Sequence, residues 1–205
     1  MSLLKSRRMF LASIGALSLG LAGCNKTGSL ADSISADLNG ADLSGLDFGR
    51  DFRLTDPDGR DRGLADFRGK AVMVFFGFTQ CPDICPTALF RATEIKRLLG
   101  DDADALQVIF ITIDPERDTP EVLRQYVGAF DPAFLGLYGD MRRTRETATE
   151  FKAFYQKVPT GGSYTMDHTT ISFVFDARGK LRLGLGHALS ADECAEDIRH
   201  ILSLT

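Results

Sequence analysis

The sequence predicts an α/β fold, a mixed β-sheet flanked by helices and preceded by a β-hairpin. Three observations carry this. Two continuous apolar, β-rich runs, "AVMVFFGF" (71–78) and "LQVIFITID" (106–114), have the texture of strands buried on both faces. Each is followed by a helical pattern opened by proline, "PTALFRATEIKRLLG" and "TPEVLRQYVGAF". The chain then closes on two further strands and a helix. With 205 residues, 44% hydrophobic and 25% charged, it has apolar material for one substantial domain plus extras.

Along the chain, "FRLTDPDGRDR" alternates and turns at Asp-Pro-Asp-Gly, the N-terminal hairpin. After strand 71–78 the first helix is expected to begin at Pro86 and stop at Gly100. The second helix takes Thr119 as N-cap and Pro120 at its first position. "LGLYGD" is a short strand and "RRTRETATEFKAFYQKV" a polar-faced helix. A thirteen-residue loop (156–168) with a Gly-Gly pair leads into strand "TTISFVFD", a turn at "ARGK", strand "LRLGLG" and a last helix capped by Ser190. This β-α-β-α-β-α-β-β-α order is that of a thioredoxin-like fold with an inserted strand and helix. Ligands in such sheets bind beyond the carboxyl ends of the strands, which is where the loop after residue 78 falls.

Residues 1–23 are expected to be an export signal. "KSRRMF" is a basic start, followed by a short apolar run ending "LAGC". "SRRMFL" resembles a twin-arginine signal with Arg7 and Arg8 as the pair, and "LAGC" a lipobox that makes Cys24 a lipidated residue. Residues 24–47, rich in Gly, Ser, Asp and Ala, then form a lipidated tether, and 48–205 the folded domain. This places the protein on the periplasmic side of a bacterial inner membrane, held by its lipid anchor. The net charge is −4, and without Lys5, Arg7 and Arg8 the balance is 21 basic against 28 acidic residues. Such a surface has no electrostatic footprint for nucleic acid.

With Cys24 assigned to lipid, Cys81, Cys85 and Cys194 remain in an oxidising compartment. In "GFTQCPDICPTAL" each of the first two cysteines precedes a proline. Residues before proline are steered out of the α region, so both are expected outside the helix, with Cys85 as its N-cap and the favoured thiolate. A disulfide closing so short a loop gains little stability. Thiol–disulfide exchange usually works with two intervening residues and a facing cis-proline. Here three intervene, and "YTMDHTTISF" supplies His168 in place of a proline. Two thiolates and an imidazole suit Cu(I), with zinc as competitor and Cu(II) if a water or carboxylate joins. A peroxiredoxin motif is ruled out by Val74 and Phe78, which occupy its Pro and Thr positions.

"GFTQCPDICP", "ITIDPERDTP" and "DHTTISFVFD", in this order, closely resemble the Sco/SenC family of copper-binding, thioredoxin-like proteins. The similarity covers roughly residues 40 to 205. It implies a membrane-anchored chaperone for the dinuclear copper centre of cytochrome c oxidase subunit II, holding one copper, Cu(I) or Cu(II), through Cys81, Cys85 and His168. Another copper chaperone or a thioredoxin-like reductase are further expected partners. Gln80 stands where many members carry histidine, at a position that is not a ligand. Whether the protein is also an enzyme is open. The alternatives are a thiol–disulfide reductase, with Cys81 and Cys85 as its redox pair, and a copper or redox sensor.

Lesser candidates have plainer readings. Asp83 is a loop aspartate, Met166 a packing residue, and Asp167 either an orienting partner of His168 or solvated. "DPERDTP" is a capping turn first and a partner contact second. Cys194 lies on the apolar stripe of the last helix as an inert thiol, while His187 and His200 are surface histidines. His168, at the end of a long loop, is expected to be mobile enough to hold and release a metal.

Overall fold

A computed structural model of the chain describes residues 38–204. The expected signal, Cys24 and most of the tether lie outside the described residues.

The central sheet has six strands: β1 (Ala41–Asp42), β4 (Ala71–Gly77), β5 (Leu106–Thr112), β6 (Leu135–Leu137), β9 (Ser172–Phe175) and β10 (Leu181–Leu185), ordered β1-β10-β9-β4-β5-β6. Strands β4, β5 and β6 are parallel, whereas β9, β10 and β1 join antiparallel. The expected hairpin is β2 (Leu54–Thr55) and β3 (Asp61–Arg62), and Thr55 bridges to Tyr138 just past β6. Four helices complete the domain: α1 (Ile84–Leu99), α2 (Pro120–Gly128), α3 (Met141–Glu150) and α4 (Ala191–Leu202).

Alternation along β4 divides the core in two. Phe75 and Gly77 share one face with Phe110 of β5, against which Tyr126 of α2 and Cys85 of α1 pack. Phe76 points to the other face, where Phe151, Phe173 and Phe175 form edge-to-face contacts with centroids 5.2–6.3 Å apart. Every residue of β4 is buried, as its unbroken apolar run requires.

Four local expectations are corrected. Helix α1 begins at Ile84, so Cys85 is helical and Pro86 lies within the first turn rather than opening it. Proline's missing N–H costs nothing there, because first-turn amides have no intrahelical acceptor, and the bias on the preceding residue yields to that placement. Helix α3 stops at Glu150. Phe151 is drawn into the aromatic cluster and Lys152 turns the chain at φ 51°. The next segment is a β-ribbon rather than a helix end and loop: β7 (Tyr155–Pro159) pairs antiparallel with β8 (Tyr164–His168), turned by Gly161 at φ 73°. Finally, residues 41 and 42, expected to be tether, are the edge strand β1. Asp197 of α4, buried, accepts from the Asn39 and Gly40 amides at 3.0 and 2.8 Å and clips this segment to the domain.

Candidate metal centre

At the carboxyl end of β4 the chain enters a tight loop that returns as α1. Cys81 sits in the loop, half-buried, and Cys85 in the first helical turn, with no exposure. Gly77 makes this possible: a Cβ there would lie 2.8 Å from the Cys85 sulfur and 2.7 Å from the Phe110 ring. Both thiols are free, and the Cys85 amide donates to the Cys81 sulfur at 3.4 Å.

His168, at the end of β8, completes the group. Its Nε2 is 3.5 Å from the Cys85 sulfur, and the donor atoms of Cys81, Cys85 and His168 all lie within 4.8 Å of one another. Phe75 and Phe78 flank the imidazole edge-on at 6.0 and 5.9 Å. Nδ1 is 2.8 Å from the Thr169 carbonyl, which can only accept, so in the neutral ring Nδ1 carries the proton and Nε2 keeps its lone pair toward the sulfurs. The orienting group is thus the next residue's backbone, and Asp167 is exposed.

The electrostatics favour Cys81, not Cys85, as the thiolate. The hydrogen bond from Cys85 pulls the Cys81 thiol down to about 5; burial opposes this, and the Asp83 and Cys85 amides and His168 assist it. Cys85 is pushed well up, first by its bond to Cys81 and then by burial. The helix N-terminus does stabilise a thiolate, but the sulfur that receives its amides belongs to the loop cysteine.

Sequence reasoning missed the frame around the site. Buried Asp118 accepts from the Thr112 and Thr79 hydroxyls, each at 2.6 Å, and from the Thr79 amide; burial pushes its carboxyl up against these bonds. Asp114, Arg117 and Tyr164 form a second cluster beside Gln80. The only sequence signal was the density of charge in "DPERD" at the sheet's functional edge. The other candidates stay outside: Met166 is buried packing, His187 is exposed 3.4 Å from the Thr170 hydroxyl, and His200 lies on α4. Cys194 is fully buried, and burial raises its thiol to about 11.

Fold and site together define a thioredoxin-like protein in which a histidine on a ribbon faces a Cys-x-x-x-Cys pair. Comparison with known proteins makes this specific. The family model SCO1/SenC matches residues 41–203. An SCO2-like protein of Rickettsia felis is 40% identical over 135 residues, which is 64% of this chain and 66% of that one. Copper-bound ScoI of Bradyrhizobium japonicum is 40% identical with a TM-score of 0.70, covering 76% of this chain and 99% of that one. Apo Sco1 of Thermus thermophilus is 38% identical with a TM-score of 0.71, covering 83% and 100%. The chain belongs to the SCO1/SenC family.

Proposed function

We propose that this protein is a copper metallochaperone that binds one copper through Cys81, Cys85 and His168 and delivers it to the dinuclear centre of cytochrome c oxidase subunit II. The observation that carries the reading is the convergence of two sulfurs and one oriented Nε2 within 4.8 Å. Two soft thiolates and one imidazole suit three-coordinate Cu(I), whereas structural zinc takes four ligands. Cys81, already ionised near neutral pH, supplies the first thiolate, and copper displaces the proton of Cys85 as it binds. Cys81 is the half-exposed ligand, so it is the one an incoming thiolate of the recipient replaces first.

Lipidation at Cys24, export through Arg7 and Arg8 and residence on the periplasmic side of the inner membrane are part of this proposal and rest on the leader sequence. Among the described residues no helix is long and apolar enough to cross a membrane.

A second reading, thiol–disulfide reductase, is favoured by the divided proton affinities of the pair. Cys81 would attack a partner disulfide and buried Cys85 would resolve the mixed disulfide, leaving an oxidised pair here and two thiols on the partner.

The test is titration of the reduced, metal-free chain with Cu(I), beside Cys81→Ser, Cys85→Ser, His168→Ala and Cys194→Ser. One copper per chain, weakened in the first three variants and unchanged in the fourth, is the expected result. Parent-like binding by His168→Ala would remove the imidazole from the site. Disulfide exchange retained in that variant would then move the assignment to the reductase.

A further inference from the structure

The His168 side of the site is a separate two-stranded ribbon, not a strand of the central sheet. Apart from the bond between His168 and its neighbour Thr169, the hydrogen bonds that tie β7–β8 to the rest of the described domain end on the two cysteines or on three residues of segment 114–117. Tyr164 donates its hydroxyl to Asp114 at 2.8 Å, Arg117 donates to the Tyr164 carbonyl at 2.8 Å, and Lys157 reaches Glu116 at 2.6 Å. Arg117 has the central position. Its guanidinium stacks on the Tyr164 ring with 3.7 Å to the centroid, pairs with buried Asp114, and donates at 3.1 Å to Gln80, the residue before Cys81. One planar cation therefore touches both the loop that carries Cys81 and the strand that carries His168. Arginine suits this role because it donates in plane while stacking on an aromatic face. Elsewhere the ribbon rests on buried Met166 and half-buried Tyr155, and it is undercut by a cleft of about 410 Å³ lined in part by Met141, Arg145 and Tyr155.

The geometry points to Arg117, with Asp114 and Tyr164, as a latch that holds the His168 ribbon against the dithiol and so sets how tightly the third ligand is presented. Arg117 is a positioning residue: it touches neither sulfur nor Nε2 and acts through Tyr164 and Gln80. Closed, the latch keeps Nε2 facing the Cys81–Cys85 pair. Open, it leaves a dithiol whose copper is accessible to a competing thiolate. This inference rests on the copper reading above and adds a means of controlling release.

The experiment compares the full chain, reduced and metal-free, as parent, Arg117→Ala, Tyr164→Phe, His168→Ala and the double variant Arg117→Ala/His168→Ala. Each competes for Cu(I) against a chromogenic chelator. Arg117→Ala is expected to bind about 10–100-fold more weakly, the range for loss of an outer partner of a metal ligand, with a smaller loss for Tyr164→Phe. The double variant is expected to be no weaker than His168→Ala alone, because the latch acts only through the histidine. Parent affinity in Arg117→Ala, or losses that multiply in the double variant, would overturn the latch. Hydrogen exchange on the metal-free chains gives a copper-independent readout. Amides of residues 155–168 should exchange roughly tenfold faster in Arg117→Ala while those of β4 and β5 do not change, and unchanged ribbon exchange overturns the proposal. If the parent binds no copper, the function reading fails while the exchange result still decides the latch. Should removing Arg117 beside buried Asp114 prevent folding, Tyr164→Phe carries both readouts.

Discussion

The two sides of the site are built from different material. Cys85 belongs to the core: it lies against Gly77 and Phe110, has no exposure, and sits in the first turn of a sixteen-residue helix. His168 belongs to a ribbon outside that sheet, tied to segment 114–117 and to Cys85. The difference teaches how one site combines retention with transfer. A buried dithiol cannot move without disturbing the core, whereas a ribbon held by few contacts reorients at lower cost, as weakly anchored elements do. It also revises the expectation of a mobile loop. Any movement of His168 involves a whole hairpin, governed by a cluster some distance from the sulfurs.

Breaking the rigid side should have the largest effect. Gly77→Ala places a methyl group within 2.8 Å of the Cys85 sulfur and 2.7 Å of the Phe110 ring. Overpacking of this kind costs about 1–3 kcal/mol, and the displaced sulfur should lose copper as well. Urea denaturation alongside Cu(I) titration measures both, and a variant with parent stability and affinity would show that the core does not fix Cys85.

The second contrast is chemical and lies within the rigid side. Cys81 is held at about 5, so the thiolate that alkylates is present from weakly acidic pH upward. Its reaction with iodoacetamide in the metal-free chain should fall off only as pH drops through about 5, whereas an ordinary thiol loses reactivity below about 8.5. Cys85, pushed up and buried, should stay unmodified through neutral pH. Mass spectrometry after timed alkylation reads the two sites separately, and equal labelling would contradict the division.

How far these features were legible in the sequence depends on where their causes lie. Strands β4 and β5 were plain because burial on both faces leaves an unbroken apolar run. Thr119 and Ser190 announced their helices because capping is local, and both side chains accept a first-turn amide. The three donors could be named from motif and resemblance. The ribbon was missed because Tyr155, Val158 and Tyr164 are only partly buried and Met166 alone is fully inside, and a Gly-Gly pair reads equally as loop or hairpin turn. The helix start was placed two residues late, which left Cys85 at the cap instead of inside the helix, because the proline rule is a bias that a first turn overrides. The Arg117 cluster was invisible for a different reason: its contacts join positions 37 and 47 residues apart, and no local pattern encodes them.

The smallest effect is expected on the ribbon side. Asp167 is exposed and the Thr169 carbonyl already holds Nδ1, so Asp167→Asn should change stability by less than about 0.5 kcal/mol and leave copper affinity as it is. A weakened copper complex would return Asp167 to the role of orienting group.

The convergence of both sides on one ion is tested most directly by X-ray absorption at the copper edge on the Cu(I)-loaded chain and its His168→Ala variant. Two sulfur neighbours and one nitrogen per copper are expected in the parent, with the nitrogen lost and both sulfurs kept in the variant. A sulfur-only shell in the parent, or a nitrogen that survives the loss of His168, would contradict a site assembled from the rigid dithiol and the latched ribbon.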